Sequence, residues 1–149
     1  MAFLENRIPP LMVAIITMLL AWLVDPKGAD DVVVQTAASV LVIVAMVLAR
    51  ISIMGFVRAD TTVNPLSPES TTELVCDGIF AYSRNPMYLA MALLVFAFCL
   101  YFTGFWSLLF TAGFMFYIQR FQIVPEERAL EQLFGEDYRD YRRRVRRWC

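Results

Sequence analysis

Side chains capable of chemistry cluster in two short stretches of this 149-residue chain, the first of them at Ser83–Tyr88. Asparagine is a preferred helix N-cap and proline a preferred first helical residue, so Asn85 and Pro86 predict the start of a helix. A helix N-terminus attracts anions, and the guanidinium of Arg84 would bind a carboxylate or phosphate there at two points. Tyr88 would add a hydroxyl one turn further along. The alternative is an ordinary helix cap with an interfacial arginine and tyrosine.

The second stretch is the pair of adjacent carboxylates Glu126 and Glu127, which follow Pro125. Two carboxylates where an apolar run meets polar sequence are costly unless they face water or a cation. They could serve a bound cation, or they could reflect only the preference of acidic residues for the first turn of a helix. Arg120 precedes them by less than two turns. Its side chain either reaches water at the membrane interface or holds an anionic group in a two-point contact.

Histidine chemistry is excluded by composition, and the cysteines show no metal-binding pattern. The chain has no histidine, which removes the usual general base and the commonest metal ligand. Its cysteines, Cys76, Cys99 and Cys149, are scattered and form neither a CxxC pair nor a disulfide framework. We therefore predict no metal site.

The overall composition places the two stretches in an integral membrane protein. Apolar residues make up 59% of the chain and charged residues 18%, against roughly 45–50% and 25% in soluble domains. A chain this short has too much surface to bury so many apolar residues away from water. A soluble enzyme, a disordered protein and a nucleic-acid-binding module are therefore excluded.

Four apolar runs predict an all-α membrane protein with four transmembrane helices, which together make a single domain over residues 1–149. The runs are 8–24, 32–57, 86–103 and 105–124. The last two are separated by a very short break at Thr103-Gly104 and should form an antiparallel hairpin. The first run also resembles a signal peptide, but no small-residue cleavage site follows it.

The distribution of basic residues predicts the orientation of these helices. With four spans, both termini and segment 58–86 share one side, which carries eleven arginines, whereas the other side carries only Lys27. We therefore predict a protein of the plasma or inner membrane with both termini cytoplasmic. This orientation places segments 58–86 and 119–149 on the same face, where a site could form between them.

The two cytoplasmic segments have different characters. Segment 58–86 is too long for an idle connection, and we expect it to fold back on the membrane. The tail, 125–149, has apolar residues at helical spacing, interrupted by Gly135, and is predicted to form amphipathic helices on the membrane face. Five arginines within 142–147 favour contact with anionic lipid, and no nucleic-acid partner is expected.

Both chemistry-bearing stretches resemble the signatures of a known enzyme family. Residues 74–88, LVCDGIFAYSRNPMY, resemble the LVTxGxY…RHPxY signature of the isoprenylcysteine carboxyl methyltransferases. Residues 126–141 resemble their EExxLxxxFGxxYxxY signature. Phospholipid methyltransferases and other small bacterial membrane methyltransferases share this layout. The resemblance covers about residues 58–148, with both motifs in the right order on the same predicted face.

The resemblance implies that S-adenosylmethionine is the methyl donor, bound on the cytosolic side between the loop and the amphipathic tail. The residues assigned to the cofactor are Thr72, Glu73, Leu74, Val75, Phe80, Arg84, Asn85, Pro86, Met87, Tyr88 and Glu126. The apolar side chains suit the adenine, and Arg84 suits the methionine carboxylate. Glu126 and Glu127 suit the ammonium group or the ribose hydroxyls, and they favour the sulfonium cation.

The chain departs from the resemblance at two positions. The family histidine is Asn85 here, and the arginine that contacts substrate in the isoprenylcysteine enzymes falls on Gln122, with Arg120 as the nearest substitute. We expect Arg120 and Glu127 to be catalytic and the acceptor to be a small lipophilic molecule that enters from the bilayer. One alternative is N-methylation of a phosphatidylethanolamine-type amine, with Glu127 taking up the proton. The other is a non-catalytic four-span scaffold or transport accessory protein.

Overall fold

The computed structural model describes residues 7–59 and 73–149, and the regular structure in these two ranges is entirely helical. The helices are α1 Pro10–Val24, α2 Val32–Arg58, α3 Pro86–Thr103, α4 Ser107–Ile118, α5 Val124–Phe134 and α6 Glu136–Arg144. Short 3₁₀ turns lie at Gly78–Ala81 and Gly104–Trp106, and a π-helical turn lies at Gln119–Ile123. The predicted all-α class is confirmed for the described residues.

Within residues 7–59 and 73–149, two helical stretches are long and apolar enough to cross a membrane, Val32–Arg58 and Pro86–Phe134. Helix α1 is apolar but shorter, with 15 residues. The first three predicted spans match α1, α2 and α3 to within about two residues at each end, which is the usual uncertainty of helix bounds. Four membrane crossings stay a prediction with which these bounds are compatible.

Helix α3 lies at the centre of the packing, in contact with α1, α2 and α4. It buries small residues, Ala90, Ala92 and Ala97 among them, and α1 buries Ala14 and Ala21. Small side chains let helices approach closely, which is how membrane helices gain packing contacts. The large apolar side chains on the outer faces of α1 and α2 are exposed, as expected of a surface that faces lipid.

Helices α3 and α4 form the predicted hairpin, which turns at Gly104. The φ of Gly104 is +52°, in the left-handed region that glycine adopts without a steric penalty. Its N–H donates to the carbonyl of Leu100 and so closes the last turn of α3. The short 3₁₀ turn then leads directly into α4.

The last long helix changes its hydrogen bonding just before Pro125. Residues Gln119–Ile123 form a π-helical turn, and α5 follows at Val124 without an intervening loop. The helix therefore does not restart at Pro125. Glu126 and Glu127 lie in the first turn of α5, so the π turn sets where these carboxylates point.

Helices α5 and α6 meet at Gly135, the predicted interruption, where φ is +54°. Their apolar residues pack on the protein itself. Tyr138, Tyr141 and Val145 form the buried centre of this cluster, with Leu74, Cys76, Leu130 and Phe134 packed against it. The prediction that this apolar face lies on the membrane needs correction, because residues before α3 cover it.

The described part of segment 58–86 folds back on the end of α2. Phe80 is 5% exposed, and its ring lies 4.9 Å from the ring of Phe56 in an edge-to-face arrangement. The hydroxyl of Tyr141 donates to the carbonyl of Phe80 at 2.8 Å, which ties the same turn to α6. Thr72, one of the predicted cofactor residues, lies outside the described residues.

Candidate functional site

The structure brings Tyr88, near the start of α3, against Glu126, in the first turn of α5. Tyr88 is 4% exposed, and its hydroxyl donates to Oε2 of Glu126 at 3.0 Å. Glu126 itself is half-buried. Desolvation raises the pKa of Glu126 to about 7; the hydrogen bond from Tyr88 partly offsets this increase, and the charge of Glu127 adds to it. The two residues that the sequence placed in separate motifs therefore form one polar contact.

Glu127, next in the chain, lies between two guanidinium groups. Its Oε1 is 2.9 Å from Nη2 of Arg84 and accepts from Nε of Arg147 at 3.0 Å. Its Oε2 accepts from Nη2 of Arg147 at 2.7 Å. The side chains of Arg84 and Glu127 are only 8% and 9% exposed, so this is a buried, charge-assisted network. Two arginines share one carboxylate, which leaves the cluster with a net positive charge.

Two nitrogen atoms of Arg84 are not used as donors in this network. Its Nε and Nη1 atoms are buried and have no hydrogen-bond partner in the described part of the chain. A buried charged donor without a partner is costly, so these two atoms are suited to an ion, a water or a ligand that accepts hydrogen bonds. The predicted anion site at Arg84 therefore has two N–H groups available, even though Nη2 is already engaged by Glu127.

The Glu127 pairing bears on the two roles predicted for that residue. Both oxygens of Glu127 are already engaged by guanidinium groups, which leaves little room for a further partner. The same pairing counts against a direct contact with the cofactor ammonium. Proton transfer to Glu127 stays a prediction. Glu126 accepts from the hydroxyl of Tyr88 and is not held by the two arginines, so the geometry favours Glu126 as the carboxylate that contacts a ligand.

Helix α3 starts at Pro86, as predicted, with Asn85 in the N-cap position. The side chain of Asn85 makes no cap hydrogen bond, which corrects the predicted capping role. Its Nδ2 instead donates to the carbonyl of Arg147 at 2.9 Å, while its own N–H donates to Oγ of Ser83 at 3.2 Å. Asn85 therefore ties the start of α3 to the residues that follow α6.

The residues predicted for the adenine lie in a separate group beside α2. A cavity of about 510 Å³ is bordered by Glu73, Leu74, Val75 and Phe80 on one side and by Gly55 of α2 on the other. Tyr88 and Glu126 do not line this cavity. The bond between Tyr141 and Phe80 and the cluster around Tyr138 connect the two groups.

The two positions relevant to the acceptor lie in the π-helical turn. The guanidinium carbon of Arg120 is 5.5 Å from the ring centroid of Phe121, a cation–π contact. Gln122 is fully buried, and its Nε2 donates to the carbonyl of Ile8 at 2.7 Å. The amide at this position thus fastens the start of α1 to the last long helix.

Sequence reasoning missed Arg147 and its neighbour Trp148. Arg147 lies in a run of arginines whose composition indicates only a basic tail, and nothing local distinguishes it from the others. Trp148 donates from Nε1 to Oε1 of Gln119 at 3.0 Å, in the π-helical turn. The one signal in the sequence was the tryptophan itself, an aromatic residue at the end of a charged stretch.

The chain resembles a known protein family over more than half of its length. A sequence profile of the phospholipid methyltransferase family matches residues 34–137, more than half of the chain. An uncharacterized protein of Haemophilus influenzae is 40% identical over 62 residues, which make up 42% of this chain and 98% of that relative. No solved structure matches this chain.

Proposed function

Because the chain belongs to the phospholipid methyltransferase family, we propose that it is a membrane methyltransferase that uses S-adenosylmethionine. The observation that carries this proposal is that an arginine with unpaired donors and a half-buried carboxylate lie in one small region. Arg84 has two buried N–H groups without partners. Glu126 is a half-buried carboxylate whose pKa is raised mainly by desolvation and which accepts a hydrogen bond from Tyr88.

The amino-acid end of S-adenosylmethionine suits both side chains, because it carries a carboxylate and an ammonium group. The carboxylate would accept from the free N–H groups of Arg84, and the ammonium would donate to Glu126. Tyr88 would hold Glu126 in place through its 3.0 Å hydrogen bond. The bound cofactor supplies a methyl group activated by a sulfonium centre.

The cavity beside α2 would take the adenosine end of the cofactor. Its volume of about 510 Å³ falls within the range of roughly 300–1,000 Å³ for small-molecule sites. Leu74, Val75 and Phe80 offer apolar and aromatic surface for a purine, and Glu73 lies at the same border. We propose these residues, with Asn85, Pro86 and Met87 at the start of α3, as the cofactor-contacting set.

Methyl transfer needs alignment of donor and acceptor and exclusion of water more than it needs an acid or a base. The chain would supply alignment through the hydrogen bond that joins α3 to α5, and the bilayer would supply a dry path for the acceptor. We propose a small lipophilic acceptor that enters laterally, as in the isoprenylcysteine-type enzymes. Arg120 would orient an anionic group of that acceptor.

N-methylation of a phospholipid amine is the second candidate function, and one observation favours it. An amine must lose a proton before or during methyl transfer, and the pKa of about 7 allows Glu126 to accept one near neutral pH. In that case Glu126 faces the acceptor and not the cofactor ammonium. Glu126→Gln would then lower turnover while leaving affinity for S-adenosylhomocysteine nearly unchanged.

The membrane arrangement belongs to the same proposal. We propose four crossings, formed by α1, α2, α3 and α4 with its π-helical extension, with both termini in the cytoplasm. The support is the eleven arginines on one predicted side against Lys27 on the other. Under this arrangement Arg84, Glu126 and Glu127 lie at the cytoplasmic interface, within reach of a soluble cofactor.

Calorimetry with S-adenosylhomocysteine in detergent tests the proposed function. The wild-type protein should bind, and Glu126→Ala should weaken binding by about 1–3 kcal/mol, the scale for a lost hydrogen bond to a charged group. Glu136→Ala is the matched control, because Glu136 is 70% exposed and should leave binding unchanged. Absence of binding to the wild type would favour the non-catalytic scaffold, and equal binding to Glu126→Ala would refute this placement of the cofactor.

A further inference from the structure

The residues that follow α6, Val145 to Trp148, form a strap across the start of α3. The carbonyl of Arg146 accepts from the N–H of Arg84 at 3.0 Å, and the carbonyl of Arg147 accepts from Asn85 at 2.9 Å. The indole of Trp148 donates to Gln119 at 3.0 Å. The strap is therefore fastened on both sides of Arg147, by backbone atoms to the α3 motif and by a side chain to the π-helical turn.

We propose that Arg147 is a positioning residue of the cofactor site, which acts by holding Glu127 so that Arg84 keeps its free donors. This inference rests on the proposed function, because the ligand in question is the cofactor carboxylate. Arg147 engages both oxygens of Glu127, at 3.0 Å from Nε and 2.7 Å from Nη2. Arg84 engages only Oε1, through Nη2 at 2.9 Å.

The geometry explains why the second arginine matters. A carboxylate and a guanidinium that meet alone prefer a two-point contact, with two parallel N–H···O bonds. Without Arg147, Glu127 would be free to turn toward Arg84 and form such a contact. Arg84 would then spend a second donor on Glu127, and its Nε or Nη1 atom would no longer be available to a ligand.

The net charge of the cluster that Arg84, Arg147 and Glu127 form also supports a positioning role for Arg147. Arg84 and Arg147 together outweigh Glu127 by one positive charge, in a region where two of the three side chains are at least nine-tenths buried. Removal of Arg147 would leave a neutral pair, which has little attraction for an anion. Arg147 thus contributes both the geometry and the surplus charge without contacting the ligand.

The test compares two ligands that differ at the amino-acid end. S-adenosylhomocysteine carries the carboxylate, and 5′-methylthioadenosine lacks the whole amino-acid group. Arg147→Ala should lower affinity for S-adenosylhomocysteine by about tenfold, the scale of one hydrogen bond to a charged group. It should leave affinity for 5′-methylthioadenosine unchanged. Arg147→Lys should restore only part of the loss, because an ammonium cannot reproduce the fork across both oxygens of Glu127.

Two further variants identify the route of the effect. Arg143→Ala removes the same charge from an exposed side chain that pairs with Asp140, and it should leave both ligands unaffected. In a Glu127→Gln background, Arg147→Ala should cause a smaller loss than in the wild type, because its route through the carboxylate is gone and only its charge remains.

The outcomes separate this inference from the proposed function. Equal losses for both ligands in Arg147→Ala would mean general damage to the fold and would overturn the positioning role. Unchanged binding of S-adenosylhomocysteine in that variant would overturn it as well. A wild-type protein that binds neither ligand would refute the proposed function itself.

Discussion

Replacement of Glu126 by glutamine should make the ligand-free protein more stable at alkaline pH. The fold raises the pKa of Glu126 to about 7, mainly because the ionised form is desolvated. A carboxyl group with a raised pKa in the folded state loses stability as pH rises from its ordinary pKa through the folded value. The penalty is therefore absent near pH 4, grows through pH 7, and is complete at about pH 8.

The size of the effect follows from the pKa and the exposure of the residue. Raising the pKa from its ordinary value to about 7 corresponds to at most about 3.5 kcal/mol at high pH. Glu126 is half-buried, so solvent reduces this to about 1–2 kcal/mol. Glutamine keeps an oxygen that accepts from the hydroxyl of Tyr88, so the variant removes the charge and little else.

Chemical unfolding in detergent at pH 5 and at pH 8, without ligand, measures the difference. Glu126→Gln should raise the free energy of unfolding at pH 8 and have a much smaller effect at pH 5. Glu136→Gln, at an exposed position, controls for a general effect of lower net charge. A Glu126→Gln variant that is not stabilised at pH 8, or that is stabilised equally at both pH values, would refute a buried charge at Glu126.

The Glu126→Gln variant should be more stable than the wild type but should bind S-adenosylhomocysteine more weakly. If the ionised Glu126 holds the cofactor ammonium, the affinity of the wild type for S-adenosylhomocysteine should rise as pH increases through about 7. Glu126→Gln should bind about tenfold more weakly at pH 8 and should show no such rise. Calorimetry across this pH range distinguishes the two proteins, and a pH-independent wild type would contradict the role.

Three other predictions address topology, the acceptor and the tail. Reporter fusions should place both termini and residues 73–86 in the cytoplasm and residues 25–31 outside, and a C-terminus outside would refute the site's location. Arg120→Lys should sharply lower turnover on the identified acceptor while leaving affinity for S-adenosylhomocysteine nearly unchanged; equal activity would leave Arg120 as an interfacial anchor. Tyr141→Phe removes the 2.8 Å bond to the Phe80 carbonyl and should lower the unfolding free energy by about 1–2 kcal/mol, as measured by chemical unfolding.

Local signals in the sequence were sufficient to predict where the main helices begin and end. The Asn85-Pro86 pair predicted the start of α3, and Gly104 and Gly135 predicted the turn of the hairpin and the end of α5. Each of these signals acts within a few residues, through φ or a missing N–H, so no knowledge of distant contacts is needed. The resemblance also placed Tyr88 and Glu126 in one site, and they share a hydrogen bond.

Contacts between distant residues were beyond the reach of such reasoning. Arg147 is one of five arginines in six positions, and only the fold distinguishes it by placing it 2.7 Å from Glu127. Asparagine has a strong local preference for capping a helix. The side-chain amide of Asn85 instead donates to the carbonyl of Arg147, which is 62 residues away in the chain. The apolar face of α5 and α6 indicated a membrane surface because the sequence does not reveal that Leu74 and Cys76 cover it.

The π-helical turn at Gln119–Ile123 bears on how the family can tolerate changes in length. Such a turn accommodates one residue more than an α-helical turn over the same path. Deleting a residue there would convert the turn to α-helix and leave Glu126 facing Tyr88. A deletion within α4 or at the start of α5 would instead rotate the downstream helix by about 100° per residue, moving Glu126 off Tyr88 and Glu127 off both arginines. Single-residue deletions compatible with the site should therefore concentrate in these five positions.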